Sequence, residues 1–270
     1  MQKVSVFVVS LKSATDRRTA LQAHLAALGM DFEWFDAVRG DALSPQVRQE
    51  INPGGNMSPG QLGCYLSHIH IYEHIVEKAL PLALILEDDV ILHPSVVTLV
   101  RTGVQQLAFD YCFLGRDDQG DAGFVFYNAA APSRLSERHM AYPLSSGPYC
   151  THAYFITLEG AKKRLACAYP ARSAIDHYRH LPYQPRFMSV MPMLGFVNEL
   201  SAVQSMSSMK CSKLEVLARK QWWYYPLRDL LKLKAFKKWQ ARRLTKFPQP
   251  GRWRTFYTAF RVLPSHHLKP

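Results

Sequence analysis

Val4-Ser5-Val6-Phe7-Val8-Val9-Ser10-Leu11 is a run rich in Val and Phe with no internal Gly or Pro, the composition of a strand buried on both faces. The residues on its C-terminal side decide the fold. Ser13 and Asp16 form an S-x-x-D helix-start signal, and Leu21, Leu25 and Leu28 recur at i, i+4 and i+7. Gly29 then stands where a helix end favours a residue tolerant of positive φ, and 31–38 returns to strand-like composition before Gly40. Strand, crossover helix and strand imply a parallel pair. The expected class is α/β, with a mostly parallel central sheet flanked by helices.

Outward from that unit, 41–55 is polar and turn-rich, ending in Asn52-Pro53-Gly54-Gly55, and reads as a loop or flap. Ser58-Pro59 opens a helix with Ser as N-cap and Pro at N1, and Leu62, Tyr65, Leu66, Ile69, Tyr72 and Val76 keep one apolar face for about four turns. Leu82–Leu86 is a short apolar strand that stops at Glu87-Asp88-Asp89. A further strand, 110–115, runs into Asp117, Asp118 and Asp121, and 153–158 reads as a strand followed by a helix to about Tyr169.

Composition bounds the rest. Of 270 residues, 48% are apolar and 20% charged, which excludes a mostly disordered chain. The longest apolar run, Ala79–Leu86, falls far short of the roughly 20 residues needed to cross a bilayer. The N-terminus lacks an A-x-A-like cleavage site, so no secretory signal is expected. Five scattered cysteines without a C-x-x-C pair argue against a disulfide framework and for a reducing compartment. The net charge of +12 is unevenly placed: Lys210 to Pro270 holds 16 Lys and Arg against Glu215 and Asp229, whereas 1–209 is slightly acidic. Trp222, Trp223, Trp239 and Trp253 lie in the same tail. The chain therefore divides at about 209/210 into a nearly neutral body and a basic, aromatic-rich, helical extension.

The acid triplet is the strongest chemical signal. In open α/β sheets, ligands bind at the carboxyl ends of strands, and adjacent carboxylates become favourable when a divalent cation lies between them. An all-oxygen set suits Mg²⁺ or Mn²⁺, which would bridge the protein to a diphosphate. Such a metal would neutralise charge on a leaving phosphate, a logic that a metal-dependent nucleotidyltransferase would share. His70 and His74 share a helix face at i, i+4 but lack the H-E-x-x-H order, and no third zinc ligand is evident. Dinucleotide, nucleophile-elbow and P-loop motifs are absent. Arg17 and Arg18, early in the first helix, do not complement its dipole and suit an anionic partner.

Several blocks carry a family resemblance: Val9-Ser10-Leu11 with Asp16-Arg17-Arg18, then Phe32 to Gly40, then Gly63-Cys64-Tyr65-Leu66-Ser67-His68, then Leu84 to Leu92. Ala153-Tyr154-Phe155-Ile156, Gly160-Ala161, Ile175-Asp176 and Gln204 continue the series. In this order and spacing they resemble glycosyltransferase family 25, the bacterial lipooligosaccharide galactosyltransferases and their relatives, over about residues 3–207. The resemblance implies a GT-A-type nucleotide-sugar-binding fold, a UDP-hexose donor, a lipooligosaccharide acceptor and a divalent metal, Mn²⁺ or Mg²⁺. By position, Glu87 and Asp89 would be metal ligands, and Asp88 would belong to the donor site. Ser10, Leu11, Arg17 and Arg18 fall where the donor nucleotide is held, Ala37 and Val38 border that pocket, and Ser67 and His68 belong to the helix block packed near the donor. The resemblance also implies inversion at the anomeric carbon, which needs a base; Asp176 is the first candidate and Asp117 or Asp118 the second.

Two departures stand out. Gln61 replaces the Glu common in the family two residues before Gly63, and Ser205, Met206, Ser207 and Ser208 follow Gln204 where many relatives place a His shortly after, which leaves the last metal ligand unassigned. The tail suits an anionic membrane surface, where each engaged Lys or Arg contributes about 1 kcal/mol, and Trp222-Trp223-Tyr224-Tyr225 suits headgroup depth. Over 227–246 the apolar residues spread around a helical wheel, so binding is expected to be peripheral, charge-dominated and on the cytoplasmic face of the inner membrane. A nucleic-acid-binding role for the tail is the competing class; the slightly acidic body and its carboxylate site argue against it.

Overall fold

A computed structural model describes residues 4–104, 106–115, 126–128, 130–197 and 253–255. Asp117, Asp118, Asp121, Gln204 and the tail apart from 253–255 lie outside the described residues.

The opening unit forms as its sequence dictates. Strand β1 (Ser5–Ser10) is followed by α1 (Thr15–Ala27) and β2 (Glu33–Asp36), and β1 and β2 pair in parallel. Gly29 ends the helix at φ +61°. The S-x-x-D start signal is not used: Ala14 is the N-cap, no side chain caps the helix, and the Ala14 N–H bonds to Leu11 O in a preceding turn. The region 41–55 is not simply a loop. Ser44 caps α2 (Pro45–Ile51), accepting the Val47 N–H, with Pro45 at N1. This is the same Ser-Pro start that opens α3 (Pro59–Glu77), and the polar composition around it obscured the signal.

Strand β3 (Leu82–Glu87) lies beside β1, also parallel, in the register Val9 opposite Glu87. Next come β4 (Val90–Leu92), α4 (Val96–Thr98), β5 (Tyr111–Phe113), β6 (Phe126–Asn128), β7 (Ser133–Arg134) and β8 (Met140–Leu144). Beyond them lie β9 (Ala153–Thr157), α5 (Leu158–Leu165), β10 (Phe187–Met191), β11 (Gly195–Val197) and β12 (Trp253–Thr255). The main sheet runs β12-β6-β8-β10-β5-β9-β3-β1-β2, with β7 on β8, and β4 and β11 form a separate ribbon.

The α/β class is as expected, but the sheet is mixed. It is parallel across β2-β1-β3 and between β5 and β10, and antiparallel elsewhere. Strand β9 enters between β3 and β5 and reverses the direction on both sides. A one-dimensional pattern shows that a strand is buried on both faces, not which way its neighbours run.

Period-two alternation divides β1 and β3 between two cores. Val4, Val6, Val8, Leu82, Leu84 and Leu86 pack with Leu21 and Leu25 of α1. Phe7, Val9, Ala83 and Ile85 pack with Leu62, Leu66 and Ile69 of α3 on the other face. At about 25 cal/mol per Å² of apolar area, burial on both faces stabilises these two strands, as it does β5, β9 and β10.

Helix α3 reaches this core by an approach that only glycine permits. A Cβ on Gly40 would stand 1.8 Å from Pro59 O, and one on Gly63 would stand 2.5 Å from Val38 O. Both obstacles are backbone and cannot step aside. The Gly40→Ala variant is therefore expected to cost about 1–3 kcal/mol, read as a lower urea midpoint at constant m. Gly60→Ala, one turn before Gly63 with nothing within 4 Å of the added carbon, should be neutral or stabilising.

Candidate active site

Three strands of the parallel segment end in a row. Ser10, Asp36 and Glu87 are the last residues of β1, β2 and β3, with Ser10 opposite Asp36 and Val9 opposite Glu87. Asp88 and Asp89 form the turn into β4, so the acid triplet stands at the carboxyl edge, where the sequence placed it.

The three acids point different ways. Glu87 belongs to the α3 face: its Oε1 accepts a hydrogen bond from Thr151 Oγ1 and lies 3.6 Å from His68 Nε2. Asp88 belongs to the α1 face, where Ser10 Oγ donates to Oδ2 at 2.6 Å and Arg17 Nη1 lies 3.1 Å from Oδ1. Asp89 Oδ1 is buried and has no hydrogen-bond partner.

The electrostatics arise from these contacts. Burial raises the Glu87 carboxyl, but His68, Thr151 and His152 together outweigh it and hold it below the usual carboxylate range. Asp88 is raised by burial despite Ser10 and Arg17. Burial, reinforced by the charges of Glu87 and Asp88, pushes Asp89 up to about 7. A buried carboxylate oxygen without a partner, beside a second carboxylate, is what a divalent cation would satisfy. Asp89 and Glu87 fit a hard cation as oxygen ligands, whereas both Asp88 oxygens are already engaged.

The two arginines have separate settings. Arg18 Nη2 donates to Asp36 Oδ1 at 2.8 Å and to Ser10 O at 3.1 Å, its Nε donates to Ser10 Oγ at 3.2 Å, and its guanidinium lies 4.7 Å over the Trp34 ring. It braces the ends of β1 and β2 and orients the Ser10 hydroxyl toward Asp88. Arg17 is held by Asp88 and is about a third exposed at the rim. Leu11, next to Ser10, is half-buried.

The helix block has an internal role. Ser67 is fully buried; its Oγ donates to Gly63 O at 2.6 Å and accepts the Val38 N–H at 2.8 Å. It fixes the backbone after Ala37 and Val38, both half-buried, against α3. His68 is also fully buried, with Nδ1 2.7 Å from Tyr154 Oη, which lies 2.6 Å from Tyr72 Oη. The Gln61 departure has a local explanation: Gln61 Oε1 accepts the Ser58 N–H and Ser58 Oγ accepts the Gln61 N–H, a capping box that Glu would make equally well.

Asp176 is brought into the same region from nearly ninety residues downstream. Its segment is tied to the end of α2 by the Ala171 N–H to Ile51 O bond and to the loop beyond α2 by Asn56 Nδ2 donating to Arg172 O, each 2.8 Å. Buried Ile175 anchors it. Asp176 is half-buried, and its carboxyl is raised by burial, with His177 opposing and the Glu87 charge adding to the rise.

Sequence reasoning missed one pair. Cys64 and His68 lie one turn apart on α3 and, with Glu87, place potential ligand atoms within 4.8 Å of one another. The i, i+4 spacing was legible, but the histidines noted for it were His70 and His74. In the structure His70 is exposed, and His74 packs edge-on against Phe7 and Phe35.

Residues 3–179 match the model of glycosyltransferase family 25 (LPS biosynthesis protein). The chain belongs to that family. Among family 25 relatives, a "Glycosyltransferase 25 family member" of Anopheles gambiae is 30% identical over 175 residues, 59% of this chain and 28% of the relative. A "Procollagen galactosyltransferase 1-B" of Xenopus laevis is 28% identical over 176 residues, again 59% and 28%. An "Inactive glycosyltransferase 25 family member 3" of Mus musculus is 26% identical over 177 residues, 60% and 28%. The match thus spans less than a third of the length of these family 25 relatives. One relative is named inactive, so activity has to be argued from the site itself.

Asp89 supplies a test of the electrostatics. A carboxyl raised in the folded state contributes stability at acid pH that is lost as pH rises through about 7. In buffer free of divalent cations, Asp89→Asn should gain on the order of 2 kcal/mol over the native chain at alkaline pH and almost nothing at acid pH. Parallel thermal melts across pH check this; coincident pH profiles would refute it.

Proposed function

We propose that this chain transfers a hexosyl group, galactosyl in the first instance, from a UDP-sugar to a hydroxyl of a lipooligosaccharide or lipopolysaccharide glycan. The reaction is proposed to be metal-dependent and to invert the anomeric carbon. The observation that carries the reading is the buried, unpartnered Asp89 oxygen beside Glu87 at the carboxyl edge of β3. Family membership supports glycosyl transfer, and the galactosyltransferase name of a relative supports the sugar.

Asp89 and Glu87 would hold Mn²⁺ or Mg²⁺. When bound, the cation supplies charge neutralisation for the departing diphosphate. Arg17, about a third exposed at the rim, would exchange Asp88 for a donor phosphate, one anion for another. Arg18 and Ser10 keep Asp88 oriented while Arg17 moves. Ser67 holds the backbone at Val38 that would border the nucleotide. Asp176, its carboxyl raised by burial, is the group proposed to accept the acceptor hydroxyl proton.

Asp89→Ala should reduce turnover by at least about a hundredfold while the far-ultraviolet circular dichroism stays native, and chelation by EDTA should do the same reversibly. Wild-type activity in either case would refute the metal-dependent reading. Asp176→Asn should lower kcat at unchanged donor KM if Asp176 is the base; an unchanged kcat would exclude that role. A panel of UDP-sugars against truncated lipooligosaccharide acceptors, with the linkage read by NMR, identifies the substrates.

The location we propose is peripheral, on the cytoplasmic face of the inner membrane, through the basic tail. No helix of the described residues is long and apolar enough to cross a membrane. Flotation on anionic liposomes should fall with salt and be lost in a chain ending near Lys210; equal flotation of both chains would refute it.

A further inference from the structure

Cys64 and His68 present one ligand atom each on the same face of α3, and Glu87 ends β3 against that face. The three ligand atoms lie within 4.8 Å of one another. The ligands of a tetrahedral zinc ion are about 3.3–3.8 Å apart, so contraction by about 1 Å would close the set. His68 is completely buried, and its Nε2 has no hydrogen-bond partner. At 3.6 Å, Glu87 Oε1 is too far away to accept a hydrogen bond from it.

The other side of the ring explains how that nitrogen would be prepared. With Nδ1 2.7 Å from Tyr154 Oη and Tyr154 Oη 2.6 Å from Tyr72 Oη, His68 can donate from Nδ1 and leave the Nε2 lone pair facing Cys64 and Glu87. Ligating histidines are commonly fixed in this way by a partner on the opposite nitrogen. We propose that Cys64, His68 and Glu87 form a binding site for a soft divalent transition metal of the zinc class, with three protein ligands and one position open to solvent.

Sulfur and imidazole are poor ligands for Mg²⁺ or Mn²⁺ and good ones for zinc, so this set differs in kind from the all-oxygen pair of Glu87 and Asp89, with which it shares the Glu87 carboxylate. Burial, with the charges of Glu87, Asp176 and Asp89 adding to it, raises the Cys64 thiol. Binding would release the thiol proton to solvent and form the metal–sulfur bond in its place.

The test uses the metal-stripped full chain titrated with Co²⁺, a spectroscopic stand-in for zinc. The native chain should take up one Co²⁺ with a thiolate-to-cobalt charge-transfer band in the near ultraviolet, displaced by Zn²⁺ and not by Mg²⁺. Cys64→Ser should lose the band and bind zinc at least about tenfold more weakly. Cys167→Ser, at a free cysteine just beyond α5 and outside this group, should keep both. Zinc should also protect Cys64 of the native chain from alkylation, read by peptide mass, which needs no variant to fold. Absence of the band in the native chain, its persistence in Cys64→Ser, or alkylation unaffected by zinc would each overturn the site. None of these readouts depends on sugar transfer.

Discussion

Three carboxylates in succession at the end of a buried strand repel one another, and the architecture around them is a set of answers to that repulsion. Glu87 keeps the parity of β3 and faces α3, whereas Asp88 is on the α1 side. The sheet separates them, and each meets its own partners: Thr151 and His68 on one side, Ser10 and Arg17 on the other. Asp89 is left over. Its buried oxygen has no partner, and its carboxyl is pushed up to about 7 by burial and by its two neighbours. Two of the acids thus have hydrogen-bond donors, and the third has an oxygen with none.

This arrangement depends on how closely α3 can lie against the chain after β2. The paired glycines, Gly40 and Gly63, let backbone touch backbone, and Ser67 locks the contact through the Val38 N–H. The same approach carries Cys64 and His68 to the Glu87 side of the sheet. A short helix that composition concealed, α2, together with the loop after it, ties down the segment bearing Asp176. Backbone packing contacts between α3 and the chain after β2 therefore help to set the position of the side chains in the site.

Much of the fold was legible in the sequence because its signals are local. The apolar runs of β1 and β3, the Ser-Pro start of α3 and the positive-φ Gly29 each act within a few residues. The acid triplet was equally legible, since a strand ending in carboxylates defines an edge whatever surrounds it. The same locality explains the failures. Ser13 looked like a cap, but the turn from Leu11 to Ala14 set the helix start; α2 lay hidden in a polar stretch; and the direction of β9 is a matter of neighbours.

By itself, the sequence determined the α/β class, the parallel β1-α1-β2 unit, the carboxyl-edge acids and, through its ordered blocks, membership of glycosyltransferase family 25. Tertiary structure alone decided the mixed sheet, the separation of Glu87 from Asp88, the internal roles of Ser67 and Arg18, and the convergence of Cys64, His68 and Glu87. The physical reason is range. Propensity, capping and periodicity are written between residues close in the chain, whereas charge compensation and metal-ligand geometry depend on distances that only packing sets.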